Sequence, residues 1–161
     1  MKHPISFMLN GESRQVDVEP YEILLDVLRE KLGVKSPKVG CEAGECGACT
    51  ILMGGRTVRS CLILAVEADG AELVTVEGLA PDHMTVLQKS FIEHNAFQCG
   101  YCAPGMVLSG TELLAGNAHP TVAEVKAALS GNLCRCTGYT AIIEAVRKAA
   151  EHAPALPQQE A

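Results

Sequence analysis

Eight cysteines constrain this chain more than any other feature, because they fall into two sets of four that do not overlap in sequence. Cys41, Cys46, Cys49 and Cys61 are spaced C-x4-C-x2-C-x11-C, and Cys99, Cys102, Cys134 and Cys136 are spaced C-x2-C-x31-C-x1-C. The start, MKHPISFMLNG, has polar residues and a proline where a secretory signal needs a long apolar run, so the cytoplasm is the expected compartment. In a reducing compartment such a thiol count reads as metal-binding or redox-active rather than as disulfides.

The first three cysteines of the first set have the spacing of plant-type [2Fe–2S] ferredoxins. Two irons bridged by two sulfides need four thiolates within a few ångströms. One tight loop supplies three and Cys61, from beyond the next hairpin, closes the cage. Gly40, Gly44 and Gly47 let the backbone bend and turn its N–H groups toward the sulfurs. The second set is no plant-type pattern, yet a CxxC followed by a CxC can close a four-thiolate site, with Gly100, Gly131 and Gly138 as bends around it. Two structural zinc sites are the main competing reading, since zinc also takes four thiolates. Zinc sites usually pair two CxxC knuckles, which the C-x4-C-x2-C loop lacks. A thioredoxin-type dithiol would not come with six further cysteines.

The rest of the composition narrows the function. A net charge of -6 with no basic stripe, and only three Phe, three Tyr and no Trp, argue against nucleic acid as a partner. No apolar run is long enough to insert in a membrane. No P-loop and no G-x-G-x-x-G opening a βαβ unit is present, so no nucleotide site is expected on the chain itself. The acidic residues fall on solvated helix faces, and the five histidines are scattered, so no catalytic residue is assigned.

The chain divides near residue 80, into a sheet-bearing part, 1–78, and a helical part, 79–161. Ile5 to Leu9 and Arg14 to Val18 read as strands joined by Asn10-Gly11, a strong hairpin signal. Glu22 to Lys31 reads as a helix with Ile23, Leu24, Val27 and Leu28 inward and Gly33 past its end. Residues 38–49 fit no regular element. Thr50 to Met53 and Thr57 to Arg59 form a second hairpin, and Glu72 to Val76 a last strand. A small α+β domain follows from this pattern. Beyond it, Asp82 is expected to cap a helix ending near Asn95, and Pro104 to open one that stops at Gly116. Thr121 and Glu124 form a capping box, and residues 139–151 place Ile142, Ile143, Val146 and Ala149 or Ala150 on one face. Four short helices would pack as a bundle. The tail HAPALPQQEA is expected to fray or to dock on a partner.

The stretches GCEAGECGACTI, SCLILA, FQCGYCAPGMVLSG and GNLCRCTGYTAI, with LNG, LLDVLRE, TVEGL and PTVAEVKAALSGNLCRCTGY, resemble the small iron–sulfur subunit of the molybdenum hydroxylases, the xanthine dehydrogenase family. The likeness covers roughly residues 5–150. It implies a β-grasp ferredoxin-like domain followed by a four-helix-bundle domain, each with one [2Fe–2S] cluster. It also implies a large molybdopterin-binding subunit, a medium FAD-binding subunit and a dimer of heterotrimers. Electrons would leave the molybdenum centre, cross the two clusters and reach FAD or another acceptor. On this likeness Cys99, Cys102, Cys134 and Cys136 lie on the molybdenum side, and Cys41, Cys46, Cys49 and Cys61 on the flavin side. Gln98 would hydrogen-bond the pterin and Cys136 would lie against it. The loop from Gly44 to Gly47 would approach the flavin. Two departures from the usual pattern are mild: Ser36-Pro37 precedes the first loop, and Ala103 stands where Thr is frequent. A stand-alone ferredoxin or a zinc module is the alternative. The substrate is not legible, because its pocket lies on the large subunit.

Overall fold

The computed structural model describes residues 1–152, so the proline-containing tail beyond His152 lies outside the described residues. Strands β1 (His3–Leu9) and β2 (Glu12–Val18) pair antiparallel across Asn10 and Gly11, both at positive φ. That backbone suits the twist of a two-residue hairpin. Ile5, Phe7 and Leu9 alternate inward along β1. Strands β3 (Thr50–Met53), β4 (Arg56–Arg59) and β5 (Glu72–Val74) complete a five-stranded mixed sheet in the order β2-β1-β5-β3-β4. Only the central β1–β5 pair is parallel, with Met8 opposite Glu72 and Leu9 opposite Leu73.

Helix α1 (Leu24–Asp26) continues as one wider π turn over Val27–Lys31, closed by Leu32 N–H donating to the carbonyl of Val27 at 3.1 Å. Leu24, Val27 and Leu28 enter the core formed with Ile5, Phe7, Leu9, Val18, Ile51 and Leu73. Leu25 is buried as well, whereas Ile23 is only half-buried. The last strand is shorter than expected. It stops at Val74 and a 3₁₀ turn over Val76–Gly78 follows.

The second core holds Leu87, Phe91, Met106, Val107, Val125, Leu129, Ile142, Val146 and Ala149. They come from α2 (Val86–Glu93), α3 (Ala103–Gly116), α4 (Val122–Leu129) and α5 (Thr140–His152). Asp82 does not cap α2. Thr85 does, accepting from Gln88 N–H at 3.1 Å while Gln88 Oε1 accepts from Thr85 N–H at 2.7 Å. This reciprocal pair outcompetes a lone aspartate three residues upstream. The box expected at Thr121 and Glu124 is present, and Pro104 lies in the first turn of α3. In α5 Ala145 is buried where Ile143 was expected, with Ile143 half-buried.

Helix α3 ties the two parts together. It touches β3 and β4 on one side and α2, α4 and α5 on the other, which is why Gly105 to Gly110 are all buried. Such all-round burial suits a helix with little amphipathic bias. At its far end Glu112 accepts from Thr57 N–H and hydroxyl at 3.0 and 2.6 Å, and pairs with Arg56 at 2.8 Å.

Candidate metal centres

The N-terminal thiols sit on one loop and one turn. Cys41, Cys46 and Cys49 lie in the irregular stretch before β3, and Cys61 in the 3₁₀ turn after β4. Thr50 pairs with Arg59, so Cys49 and Cys61, each just outside that pair, meet at one end of the hairpin. Ser60 fixes this end, its hydroxyl donating to the carbonyl of Cys49 at 2.7 Å. Both thiols are buried, with Leu25 and Ile23 against them. Cys41 is exposed, and its Sγ accepts from the N–H groups of Ala43 and Cys46 at 3.3 and 3.4 Å. Donors aimed at a sulfur favour the thiolate, and these, Cys46's first, bring Cys41 down to about 7. Burial pushes Cys61 up to about 11, with the Cys49 thiol adding to the effect.

The C-terminal thiols gather at the start of α3 and in the loop before α5. Cys102 and Cys134 pack on the helical core, whereas Cys99 and Cys136 are exposed. Burial, followed by the neighbouring Cys134 thiol, pushes Cys102 up to about 12. Burial also opposes ionisation of Cys134, but hydrogen bonds from Thr137 outweigh it and lower that thiol. Tyr139 pins the backbone here. Its hydroxyl accepts from Cys134 N–H at 2.8 Å and donates to the carbonyl of Asn132 at 3.2 Å.

The eight thiols occur as four pairs: Cys41 with Cys46, Cys49 with Cys61, Cys99 with Cys136, and Cys102 with Cys134. The Cys99 and Cys136 sulfurs are 3.6 Å apart. Two sulfurs on one tetrahedral metal, with bonds of about 2.3 Å, stand roughly 3.8 Å apart. Among the described residues no group of three or more His, Cys, Asp or Glu side chains converges as a single-ion site. Four thiolates in each set suit two metals, each with two thiolates, with the bridging atoms supplied from outside the protein. That donor set fits a [2Fe–2S] cluster.

Gln98 and Cys136, paired on the resemblance, lie together, with Gln98 Nε2 donating to the carbonyl of Cys136 at 3.2 Å. Gly44 is half-buried against Leu62. Gly47 is buried, because it packs against the C-terminal half of the chain. At φ 72° an added Cβ would overlap the carbonyl of Gly131 and lie 2.6 Å from Asn132 Nδ2. The part of the loop open to a partner is therefore its Cys41 to Glu45 end.

Several residues that the cysteine pattern did not single out join the two sets. Asn132, 1% exposed, donates from Nδ2 to the carbonyl of Gly47 at 3.1 Å and to Thr50 Oγ1 at 3.2 Å. Its Oδ1 accepts from the Ser109 hydroxyl at 2.8 Å. Arg59 donates to Thr50 Oγ1 and to the carbonyl of Gly131, both at 2.9 Å. Next to Asn132, Leu133 N–H donates to the carbonyl of Cys46 at 2.9 Å. Of these, Asn132 and Leu133 lie within GNLCRC, Thr50 within GCEAGECGACTI and Ser109 within FQCGYCAPGMVLSG, whereas Arg59 lies in none of those stretches.

A ferredoxin-like loop on a mixed sheet, followed by helices with a second thiol set, defines a two-centre iron–sulfur protein. The family described as "2Fe-2S iron-sulfur cluster binding domain" matches residues 7–80, and that described as "[2Fe-2S] binding domain" matches residues 75–147. The chain is 50% identical to the nicotinate dehydrogenase small FeS subunit of Eubacterium barkeri, over 93% of this chain and 96% of that protein. It is 52% identical to the nicotine 6-hydroxylase small subunit of Paenarthrobacter nicotinovorans, over 88% and 86%. The crystal structure of quinoline 2-oxidoreductase from Pseudomonas putida 86 superposes with a TM-score of 0.90 at 48% identity, covering 93% of this chain and 94% of that one. The chain belongs to the small iron–sulfur subunits of the molybdenum hydroxylases.

Proposed function

We propose that this chain carries electrons from a molybdopterin centre on a large partner subunit to FAD on a medium one, entering at the C-terminal thiol set and leaving at the N-terminal set. The contact between the sets carries the reading. One hydrogen bond, from Leu133 N–H to the carbonyl of Cys46, joins the residue next to Cys134 to a residue of the N-terminal set. Each set also has its own opening, at exposed Cys99 and Cys136 and at exposed Cys41, so donor and acceptor need not compete for one surface. Cys41, Cys46, Cys49 and Cys61 would hold one [2Fe–2S] cluster, and Cys99, Cys102, Cys134 and Cys136 the other. When bound, each cluster supplies a one-electron couple whose potential responds to hydrogen bonds at its sulfurs and to burial. The residues around the thiols provide both: backbone N–H groups at Cys41, and an apolar packing at Cys49, Cys61, Cys102 and Cys134.

Gln98 and Cys136 would face the pterin and the Gly44 end of the first loop would face the flavin. The sheet-bearing part, 1–78, reads as a β-grasp domain and the helical part, 79–161, as a four-helix bundle. Assembly as a dimer of heterotrimers in the cytoplasm completes the reading. In support, the relatives named for nicotinate and nicotine are small subunits of larger enzymes, and no helix among the described residues is long and apolar enough to cross a membrane. Those names, with quinoline 2-oxidoreductase, favour an N-heteroaromatic substrate on the large subunit. The test is metal analysis of the purified complex. It should give about four irons and four acid-labile sulfides per copy of this chain, together with molybdenum and flavin. A colourless protein with zinc in place of iron would overturn the reading.

A further inference from the structure

We propose that Asn132 is a positioning residue for electron exchange between the two thiol sets, acting by clasping the Cys46–Gly47 backbone onto Leu133. The proposal rests on the electron-relay reading above. Its parts are four contacts. Leu133 N–H donates to the carbonyl of Cys46 at 2.9 Å, and Asn132 Nδ2 donates to the next carbonyl, that of Gly47, at 3.1 Å. The amide is then oriented from behind by Ser109, whose hydroxyl donates to Oδ1 at 2.8 Å, and from the side by Thr50 at 3.2 Å.

Two adjacent carbonyls of one loop are thus held by two adjacent residues of another, 85 positions away. Covalent bonds from Cys46 to its carbonyl, one hydrogen bond, and the short backbone run from Leu133 to Cys134 connect a thiolate of one set to a thiolate of the other. Every other connection visible among these residues is longer. Arg59 reaches the 131 carbonyl from β4, but its route runs through the full side chain.

The space around the clasp is closed. A Cβ on Gly105 would lie 2.5 Å from the Gly47 carbonyl oxygen and 2.7 Å from Asn132 Nδ2. The close approach therefore depends on glycine on both sides, with α3 as the backing. Asn132 itself binds no metal. A buried asparagine amide is chosen well for the task, because it donates on one side and accepts on the other without adding charge between two redox centres. An aspartate of the same shape would set a carboxylate oxygen against two acceptors.

The step served is a one-electron exchange. One centre is oxidised by one electron as the other is reduced by one, no bond forms or breaks, and no proton moves. The clasp alters how well the centres are coupled, not which is the better acceptor.

Two variants test this in the intact complex. Asn132→Leu keeps the approximate size, adds no charge and removes the donor. Ser109→Ala leaves the clasp's own atoms in place and loosens only the amide's orientation, so it serves if the first variant does not fold. Three readings are taken: the rate at which an electron delivered to one centre equilibrates with the other, the magnetic splitting between the two reduced centres, and hydrogen exchange at Leu133 N–H. Expected are faster exchange at Leu133, a several-fold slower equilibration and a reduced splitting. The individual spectra and midpoint potentials should stay unchanged, and the loss should be smaller in Ser109→Ala. Unchanged equilibration in a variant whose Leu133 amide exchanges faster would overturn the proposal. So would a slower rate fully accounted for by shifted potentials, or loss of a cluster from Ser109→Ala, which would assign Asn132 to holding a ligand set. The relay reading is checked separately by the wild-type complex, whose two distinct iron–sulfur spectra must be present in either case.

Discussion

Replacing Gly105 with alanine sets two ordinary effects against each other. Inside a helix, glycine to alanine is normally stabilising by about 0.5–1 kcal/mol, through the entropy of the unfolded chain. Here the new methyl group would meet the Gly47 carbonyl oxygen at 2.5 Å and Asn132 Nδ2 at 2.7 Å. Neither neighbour is the free end of a flexible side chain. One is loop backbone and the other a buried amide held by Ser109 and Thr50. Overpacking of this kind costs about 1–3 kcal/mol, and parting the Gly47–Asn132 bond in a buried place adds roughly 1–3 kcal/mol. The losses outweigh the gain, leaving a net destabilisation of about 1–5.5 kcal/mol. For a chain of this size that lowers Tm by roughly 2–22 °C. Gly116, at the end of the same helix, has nothing within 4 Å of an added Cβ, so Gly116→Ala is the control and should be neutral or slightly stabilising. Scanning calorimetry of both variants beside the wild type decides it. A Gly105→Ala protein as stable as wild type, with Gly116→Ala also unchanged, would refute the claim that helix α3 seats the first thiol loop.

Glu112→Gln should cost about 0.5–1.5 kcal/mol at neutral pH, since the amide oxygen can still accept from Thr57 but without charge assistance, and the pairing with exposed Arg56 is lost. Burial alone would raise the Glu112 carboxyl, but those bonds hold it below the ordinary range, so its contribution is complete above about pH 4.3 and fades as the pH falls through the lowered value; a denaturant series whose wild-type and variant curves stay equally far apart at low pH would contradict this. In the metal-free chain, alkylation at pH 7 should mark Cys41, at about 7, well before Cys61 at about 11 and Cys102 at about 12, and mass spectrometry showing equal labelling would remove the electrostatic reading of the loop. Cys46→Ser should abolish the N-terminal cluster and flavin reduction while substrate still reduces the C-terminal one; rapid mixing that gives wild-type flavin reduction without that cluster would reverse the relay order. Gln98→Ala should keep both clusters but lose molybdenum or slow their reduction, a deficit of roughly 1–3 kcal/mol, and wild-type molybdenum content and single-turnover rates would take Gln98 out of the site.

Local features were legible because their causes are local. Asn10-Gly11 states its own turn, and Thr121 with Glu124 states its own cap. The start of α2 is set by the reciprocal Thr85–Gln88 pair rather than by the lone Asp82, and both signals are present in the sequence. The π turn in α1 was not legible, since the carbonyl of Val27 reaches Leu32 in a segment whose Leu24, Val27 and Leu28 pack on the sheet while Leu25 packs on Cys49 and Cys61. At the site, spacing alone divided the eight cysteines into two sets. Their resolution into pairs came from the folded backbone. Gly47 was rightly read as a bend, at φ 72°, but periodicity carries no information about which side of a loop meets a helix far along the chain. Arg59 lies in no motif and the place of Asn132 in GNLCRC does not name its contacts, because their partners, Gly131 and Gly47, lie 72 and 85 residues away.

That separation also has a place in time. A chain emerges from its N-terminus at about 5–20 residues per second, so the Cys41 to Cys49 loop exists for roughly 4–17 s before the asparagine that clasps it, 85 residues on, has been made. Throughout that interval three thiols of the first set meet whatever metal or oxidant the nascent chain encounters without the grip of residues 131–133. Iron supplied then would meet an open loop, and iron supplied after release would meet a closed one. The long-range hydrogen bonds thus set an order for maturation, in which the helical half must be complete before the first centre acquires its final shape.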